Sequence, residues 1–365
     1  MNITHTEIYR FSIPMEPFVI ATGTMDYAQN TFIRVQTDSG IYGVGECSAF
    51  PMIVGETQDT CLVLAREFAR LWKGKDPLAV DERLAELDAF IARNTTIKSA
   101  FDMALYDLAA KHSGVPLYRY LGGTVRDIVT DITVGIASPS EMAAKASAFK
   151  NQGAEVLKVK LGKAPETDIA RIKAIRDAIG DELLIRIDAN QGWNYAEAVD
   201  ALQGLQEWNI QFCEQPMRSY NDHLLPQLRK ETSIPIMADE SCYDHRDAIR
   251  LAMQGACDYI NIKFSKSGGI AEALRIQQAA ATYDIPCMIG GMLESRVALS
   301  AKVHFAYAAP NVQFFDMDTC LLGHLEDPVE NGVQFAGYRL SLPELPGIGA
   351  DVDEAFLQKC ERWEV

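Results

Sequence analysis

Short β-rich runs, each followed by a helix-like stretch, occur eight times in the chain after Arg126. Reference residues at the ends of these runs, from Ala137 to Asp316, are separated by 23 to 28 residues. Eight evenly spaced βα units are typical of a (β/α)₈ barrel, whereas an open doubly wound sheet has fewer strands and a glycine-rich first turn, which this chain lacks. The sequence therefore predicts an α/β fold with a TIM-like (β/α)₈ barrel. The eight runs are residues 130–137, 155–161, 183–189, 210–214, 235–239, 258–263, 285–290 and 312–318.

The residues before this series have a different pattern. Residues 31–37 and 41–46 are strand-like and flank the turn sequence Asp38-Ser39-Gly40, which predicts an antiparallel hairpin. From Thr57 to about His112 the apolar residues follow a helical spacing. Strands followed by helices predict a small α+β domain.

We therefore divide the chain into two domains. An N-terminal α+β capping domain is predicted over residues 1–125, and the barrel, with its metal and catalytic residues, over 126–319. The tail, about residues 320–365, contains another strand-like run at 337–342 and is predicted to complete the capping domain.

Charge and composition narrow the functional classes. The chain has 34 basic and 50 acidic residues, a net charge of −16, which argues against a nucleic-acid partner. It contains neither a signal-peptide pattern at its start nor an apolar run long enough for a membrane span. Its eight cysteines are scattered without metal-site spacing, as in reduced cytosolic proteins. We expect a cytoplasmic protein with a small-molecule substrate and no membrane partner, as a monomer or a homo-oligomer.

Three carboxylates lie at the ends of consecutive predicted strands: Asp188, Glu214 and Asp239. The carboxyl ends of barrel strands form the face that carries active sites, and neighbouring strands are about 4.8 Å apart. Three acids at one height repel each other unless a cation lies between them. Ligation by oxygen alone predicts Mg²⁺, with Mn²⁺ as the alternative. The simpler interpretation is that each acid caps the helix that follows it.

Two lysines are predicted on opposite walls of the barrel. Lys160 ends the second strand and Lys263 the sixth, so they face each other across the mouth and are candidate catalytic bases, one for each face of a planar intermediate. Lys158 lies two residues before Lys160, on the same side of its strand. Its charge is expected to lower the pKa of Lys160, and it is a candidate substrate-binding residue. Structural ion pairs are the alternative.

The last strand ends with a pair of acids, Asp316 and Asp318. This strand lies opposite the fourth, the central metal strand, so a substrate would lie between the metal and the pair. Two carboxylates are suited to bind a cationic group such as an ammonium. The alternative is that Asp318 caps the following segment and Asp316 pairs elsewhere.

Together these residues resemble the enolase superfamily, in its muconate-lactonizing-enzyme-like branch, over nearly the whole chain. The resemblance implies Mg²⁺ held by Asp188, Glu214 and Asp239, which stabilises an enediolate formed when Lys160 or Lys263 removes a proton α to a carboxylate. The motifs that carry it are Lys158-Val-Lys160, Asp188-Ala-Asn-Gln-Gly-Trp193, Glu214-Gln-Pro216, Ala238-Asp239-Glu240-Ser241 and Asn261-Ile-Lys263-Phe-Ser-Lys266-Ser-Gly-Gly269.

Within this branch, the pair Asp316 and Asp318 is similar to that of dipeptide epimerases, where it binds the α-ammonium group of the substrate. In the alanyl-glutamate epimerases an Arg near the amino terminus receives the glutamate side chain. Residues 14–33 of this chain contain no Arg or Lys, only Glu16 and Asp26 among charged residues. We therefore expect a dipeptide with an apolar second residue, or a basic one if either acid reaches it. The apolar candidates are Phe18, Val19, Ile20, Met25, Phe50, Met52 and Ile53, for which ordinary interdomain packing is the alternative.

Other activities remain open from the sequence. A muconate-type cycloisomerase, an o-succinylbenzoate synthase or an N-acylamino acid racemase would keep the same metal and lysine residues. Sugar-acid dehydratases of the mandelate-racemase type resemble the barrel but use a His near the end of strand 7, which is lacking here. Outside the superfamily, the pairs Gly268-Gly269 and Gly290-Gly291 are consistent with a phosphate-binding barrel.

Overall fold

An antiparallel sheet forms at the start of the chain in the computed structural model, which describes all 365 residues. Its strands are β1 (Ile3–Ile20), β2 (Gly23–Thr37) and β3 (Tyr42–Ser48), and a carboxyl-terminal strand, Arg362–Glu364, pairs with β1 at the outer edge. The predicted hairpin turn between β2 and β3 is confirmed, and Gly40 takes the left-handed conformation there, with φ of 80°.

Helices cover one face of this sheet, as the apolar spacing predicts. Gly43 and Gly45 of β3 lie directly under the fourth helix, where a Cβ would overlap the backbone carbonyl oxygens of Ala104 and Ala100. Glycine at these two positions therefore permits the close packing of helix on sheet. The helices are α1 (Pro51–Val54), α2 (Gln58–Trp72), α3 (Val80–Phe90), α4 (Thr95–His112) and α5 (Leu117–Tyr120).

Eight parallel strands form the barrel, so the predicted fold class is confirmed. After a short strand β4 (Ile128–Val129), each of the eight predicted runs contains one barrel strand, and strands adjacent in the chain are adjacent in the sheet. The ring closes where the amide of Asp131 donates to the carbonyl of Phe315 at 3.2 Å. The barrel strands are β5 (Ile132–Val134), β6 (Val156–Lys160), β7 (Leu184–Asp188), β8 (Ile210–Glu214), β9 (Ile236–Ala238), β10 (Tyr259–Ile262), β11 (Cys287–Gly290) and β12 (Val312–Asp316).

Helices alternate with these strands and surround the ring. Ser138 and Asn194 begin two of them with capping boxes, in which each side chain accepts from the amide three residues later. The helices are α6 (Pro139–Asn151), α7 (Pro165–Ile179), α8 (Tyr195–Leu205), α9 (Leu225–Glu231), α10 (His245–Gln254), α11 (Phe264–Ser267), α12 (Ile270–Thr282) and α13 (Arg296–Ala308). Three 3₁₀ helices cover Gln206–Trp208, Ser219–Leu224 and Thr319–Leu321.

The tail divides between the two parts of the molecule. The strand-like run at 337–342 contains β15, which pairs with β4 beside the barrel, with Leu340 opposite Ile128, and not with the capping sheet. Arg362–Glu364 is the part of the tail that joins that sheet. The tail contains β13 (Val329–Asn331), β14 (Gln334–Ala336), β15 (Arg339–Ser341), β16 (Ala350–Val352), α14 (Glu354–Leu357) and β17 (Arg362–Glu364).

The tip of the β1–β2 hairpin lies over the carboxyl ends of the barrel strands. The amide of Ile136 donates to the carbonyl of Val19 at 3.1 Å, and Lys163 Nζ donates to the carbonyl of Ala21 at 3.1 Å. The two parts of the molecule therefore meet at the barrel face where active sites form. None of the helices is both long and apolar enough to span a membrane.

Candidate active site

The three predicted metal ligands lie at the carboxyl ends of adjacent strands. Asp188 and Glu214 are opposite each other in the register of β7 and β8, Asp239 directly follows β9, and all three are fully buried. None of them caps a helix, because the N-cap residues of α8, α9 and α10 are Asn194, Leu224 and Asp244. The helix-capping interpretation of the three acids is therefore wrong.

Lysine ammonium groups lie against two of these carboxylates. Lys160 Nζ is 2.6 Å from Asp188 Oδ2, and Lys263 Nζ is 2.7 Å from Asp239 Oδ2. Lys266, three residues after Lys263, is 2.6 Å from Asp239 Oδ1. The carboxylates are thus neutralised within the protein, which offsets the cost of burying them.

Lys158 lies one layer deeper in the barrel than Lys160 and is fully buried. Its Nζ is 2.7 Å from Glu214 Oε2, 2.7 Å from Asp316 Oδ2 and 3.4 Å from Asp188 Oδ2. Burial alone would lower its pKa, but Asp316 and Glu214 hold the pKa well above its usual value. Lys158 is not among the residues that line the cavity described below, and its substrate-binding role stays a prediction.

The donor set at the strand ends fits a hard divalent cation. Glu214 Oε2 and Asp239 Oδ1 are buried and accept no hydrogen bond of good geometry, although a lysine lies near each of them. Burial and Asp188 raise the pKa of Glu214 to about 7, against the opposing effect of Lys158. Carboxylate oxygens without hydrogen bonds, in a site with no His or Cys ligand, match the preference of Mg²⁺ or Mn²⁺.

A second group of carboxylates lies where the barrel closes. Asp131, Asp316 and Asp318 each offer an oxygen within 4.8 Å of the other two. Asp131 also pairs with Arg186 at 2.8 Å. The sequence did not indicate Asp131 as a site residue, because candidates were sought at the carboxyl ends of the strands and Asp131 lies at the amino end of β5.

The predicted pair Asp316 and Asp318 faces the cavity, and the pKa values of the two carboxyl groups differ. Burial raises the pKa of Asp316, but Lys158 and the other lysines outweigh it and hold the pKa at about 2. Burial and Asp316 raise the pKa of Asp318 to about 7, although the amide of Thr133 donates to its Oδ2 at 2.7 Å. Asp318 makes no side-chain cap to the following helix, so that part of the alternative is wrong, whereas Asp316 does pair with Lys158, at 2.7 Å.

One cavity brings together Lys160, Lys263, Asp316 and Asp318. Its remaining walls are mainly apolar and come from both parts of the molecule. Neither Glu16 nor Asp26 lines it, so no acid of the capping domain faces the cavity. The capping-domain residues are Phe18, Ile20, Phe50 and Ile53, and those of the barrel and tail are Thr133, Asn190, Gly291, Met292, Leu293 and Leu322. The other apolar candidates, Val19, Met25 and Met52, lie outside the lining.

The two glycine pairs that suggested a phosphate-binding barrel have different surroundings. Asp102 of α4 accepts hydrogen bonds from the amides of Ile270 and Ala271, at 2.5 and 3.1 Å, and so occupies the amino terminus of α12 that follows Gly269. At Gly290 a Cβ would overlap the side chain of Asn261. Asp102 therefore occupies the place that a phosphate would need at Gly268-Gly269, whereas Gly291 lines the cavity described above.

Glu240 is a buried acid, next in sequence to Asp239, that the strand-end pattern does not single out. Neither of its carboxylate oxygens has a hydrogen-bond partner. Burial, Asp239 and Asp188 raise its pKa to about 8. Glu240 and Lys266 both lie within the motifs that resemble the enolase superfamily. Their spacing in the sequence, however, does not indicate which residues they contact.

Comparison with known families gives two matches. Residues 3–122 match the N-terminal domain of the mandelate racemase / muconate lactonizing enzyme family, and residues 141–356 match the family described as enolase C-terminal domain-like. The two matches together cover most of the chain.

Relatives and solved structures match over nearly the full length. The D-Ala-D/L-Ala epimerase of Cytophaga hutchinsonii is 42% identical, over 99% of each chain. The hydrophobic dipeptide epimerase of Enterococcus faecalis is 39% identical, over 92% of this chain and 95% of that protein. The structure of the Cytophaga hutchinsonii dipeptide epimerase with Mg and the dipeptide D-Ala-L-Val superposes with a TM-score of 0.98, at 42% identity and 100% coverage of both chains.

Proposed function

Because the chain belongs to the mandelate racemase / muconate lactonizing enzyme family of the enolase superfamily, we propose that it is a Mg²⁺-dependent dipeptide epimerase. It inverts an α-carbon through an enediolate, by a two-lysine mechanism. The observation that carries the proposal is the single cavity that exposes Lys160 and Lys263 together with the acidic pair Asp316 and Asp318. A cycloisomerase substrate has no ammonium group and so no use for this acidic pair.

Asp188, Glu214 and Asp239 are the proposed metal ligands. When bound there, Mg²⁺ would stabilise negative charge on the substrate carboxylate, and Mn²⁺ is the alternative ion. The protein supports these ligands from behind: the amide of Asn190 donates to Asp188 Oδ1 at 2.8 Å, and Asn261 Nδ2 donates to Glu214 Oε1 at 2.7 Å. Such bonds fix the orientation of each carboxylate.

Lys160 and Lys263 are the proposed acid–base pair. They end, or directly follow, β6 and β10, which are four strands apart in a ring of eight and therefore on opposite walls. A neutral Nζ on one wall accepts the α-proton, and the ammonium on the other wall returns a proton to the opposite face. Since either lysine can begin, the reaction runs in both directions.

Asp316 and Asp318 are proposed to bind the α-ammonium group of the dipeptide. Asp316 is the last residue of β12, and both side chains reach the cavity from the side opposite the metal strand β8. A cation placed between them also lowers the energy of ionised Asp318, whose pKa is raised by burial and by the neighbouring Asp316. The pair therefore selects substrates with a free amino group.

The second residue of the dipeptide is proposed to be apolar. Phe18, Ile20, Phe50 and Ile53 line the cavity from the capping domain, and no Arg or Lys of that domain lines it. An acidic side chain placed among these residues would lose its hydration without gaining a charge partner.

We also propose the division into a capping domain, residues 1–125 completed by β17 from the end of the tail, and a barrel, residues 126–319, beside which β15 of the tail packs. The lysines and acids would then come from the barrel, and much of the specificity from the cap. Eight free cysteines, six of them buried, support a reducing cytoplasmic location.

The test is incubation of the protein with Mg²⁺ and pooled L,L-dipeptides in D₂O. Mass spectrometry should detect the gain of one deuterium, and chromatography should detect the inverted product, for dipeptides with an apolar second residue. The same peptides with an acetylated amino group are the matched control and should react poorly. Absence of deuterium in every pool would contradict the proposal.

A further inference from the structure

A buried glutamate joins the capping sheet to the loop after β11. Glu46 of β3 is buried, and its Oε1 accepts from Asn30 Nδ2 at 2.7 Å and from the amide of Ser295 at 2.8 Å. Its Oε2 accepts from Ser295 Oγ at 2.7 Å and from the amide of Ala298 at 3.1 Å. One carboxylate therefore receives four hydrogen bonds, from β2, from the loop and from the first turn of α13.

The same loop has further buried ties on both sides. Asn30 Nδ2 also donates to the carbonyl of Leu293 at 3.1 Å, and the amide of Leu293 donates to Ser48 Oγ at 3.3 Å. The amide of Met292 donates to Glu294 Oε2 at 2.7 Å, and Glu294 pairs with the fully buried Lys302. The loop is thus tied by buried hydrogen bonds to the capping sheet on one side and to α13 on the other.

This loop forms part of the apolar wall of the cavity. Met292 and Leu293 line the cavity, and Phe50, two residues after β3, lines it from the capping side. Glu46 therefore touches both elements that carry these walls, without reaching the cavity itself. A carboxylate is required at this position, because an amide offers one acceptor oxygen to four donors.

We infer that Glu46 is a positioning residue for substrate specificity, which holds the Met292–Leu293 wall at the distance that fits a large apolar side chain. The inference rests on the proposed function. Loss of the tie leaves donors of the loop unsatisfied and lets the wall move. The lysines and acids lie on other strands and keep their places, so the effect falls on binding of the second residue and not on proton transfer.

The experiment compares Glu46→Gln with Asp107→Asn in the full chain. Asp107 is the matched control: it is a buried carboxylate that accepts from the amides of Val44 and Ile348, at 2.9 and 2.7 Å, and does not line the cavity. KM and kcat are measured for L-Ala-L-Leu and L-Ala-L-Ala. Glu46→Gln is expected to raise KM for L-Ala-L-Leu about tenfold relative to L-Ala-L-Ala, with kcat changed less than about threefold. Asp107→Asn is expected to leave that ratio unchanged.

Hydrogen exchange at the amides of Met292 and Leu293 is the second readout and needs no activity. It should be about tenfold faster in Glu46→Gln than in Asp107→Asn. Ser48→Ala removes a single hydrogen bond, the one from the amide of Leu293, and should accelerate exchange at these amides by a smaller factor. This variant provides the test if Glu46→Gln does not fold. Unchanged exchange at these amides, or an equal loss for both dipeptides, overturns the inference. A wild-type protein inactive on every dipeptide contradicts the proposed function instead, while the exchange result still decides the role of Glu46.

Discussion

Lys160 and Lys263 should be distinguishable by the stereoisomer that each one serves. Replacing Lys160 with Ala is expected to reduce deuterium exchange from one isomer by at least about 100-fold, because general acid–base groups contribute that much or more. Exchange from the other isomer should be partly retained, since Lys263 still reaches its α-proton. The measurement is NMR of α-proton wash-out from each isomer separately.

Lys263→Ala is the mirror control and should show the opposite preference. If Lys160→Ala lost exchange equally from both isomers, Lys160 would act mainly on folding or on the carboxylate of Asp188, which its Nζ contacts at 2.6 Å.

A second residue with a measurable effect is His304, a buried histidine of α13. Its Nδ1 is 3.1 Å from the amide of Tyr118 and its Nε2 is 3.0 Å from the carbonyl of Ile348, so the neutral ring fits as acceptor and donor respectively. Burial lowers its pKa to about 4, from an ordinary 6.5, against the weaker opposing effect of Ile348. Protonation would remove the acceptor that Tyr118 needs.

Stability is therefore expected to fall as the pH drops from 6.5 towards 4, since the unfolded chain takes up a proton that the folded protein resists. At pH 5, this effect of His304 is expected to lower the free energy of unfolding by about 2 kcal/mol relative to neutral pH. Urea denaturation at pH 7.5 and pH 5 tests this, with His304→Gln as the comparison, because glutamine can replace both hydrogen bonds. The loss of stability between the two pH values should be about 2 kcal/mol smaller in the variant. Equal losses would show that His304 does not titrate in this range.

At the scale of elements, the start of α12 depends on a glycine that no other residue can replace. Gly269 has φ of 122°, and a Cβ there would overlap the carboxylate of Asp102, which caps the helix. Gly269→Ala is expected to lower the free energy of unfolding by about 3 kcal/mol or more, from backbone strain together with steric overlap.

The matched control is Gly40→Ala. Gly40 has φ of 80° with no atom within 4 Å of the added Cβ, so only backbone strain applies, about 1 kcal/mol. Both values come from urea denaturation at pH 7.5. A similar cost at the two positions would contradict the contact with Asp102.

The sequence predicted the elements better than it predicted their partners. The barrel strands could be located because each is a buried apolar run that ends in a change of residue type, and Asp188, Glu214, Lys160 and Lys263 followed from that rule. The pairing of β15 with β4 could not be located, since it joins residues about 200 positions apart through strands of two and three residues.

The sequence placed the predicted site residues at one end of the barrel but did not predict their contacts. Lys158 and Lys160 share one side of β6, but the alternation of side chains does not indicate that Lys158 lies below the cavity among Glu214 and Asp316. Asp131 lies at the amino end of β5, whereas the predicted site residues lie at the carboxyl ends of their strands. These features depend on how the ring closes, which is a property of the whole barrel and not of one segment.

At the scale of the whole molecule, the protein is expected to stay folded without its metal. Lys158, Lys160 and Lys263 each contact one of the proposed ligands, so removal of the cation leaves no carboxylate unpaired. EDTA should therefore abolish epimerisation but leave the far-UV circular dichroism unchanged. Excess Mg²⁺ should raise Tm. At a Mg²⁺ concentration about 100 times Kd, the free energy of unfolding should rise by about 3 kcal/mol.

The control for this prediction is Asp188→Asn, which should reduce the Mg²⁺-dependent rise in Tm. Mn²⁺ should restore activity after EDTA treatment. Unfolding on EDTA treatment would contradict the prediction, and an unchanged Mg²⁺ response in Asp188→Asn would remove that residue from the metal site.

The cavity joins the proposed catalytic groups of the barrel to apolar walls that come partly from the capping hairpin, so a substitution in the hairpin should change specificity without changing the chemistry. Phe18 lines the cavity from the hairpin tip and is partly exposed, which lets an arginine at this position keep contact with water. Phe18→Arg is expected to shift the ratio of kcat/KM for L-Ala-L-Glu over L-Ala-L-Leu by about 100-fold towards the acidic substrate, because the new guanidinium pairs with the glutamate carboxylate.

Tyr27→Arg adds the same charge to the same hairpin at an exposed position outside the cavity and should leave the ratio unchanged. An equal shift in both variants would mean that the overall field of this acidic protein, and not a contact in the cavity, sets the preference, since either substitution changes the net charge of −16 by one unit.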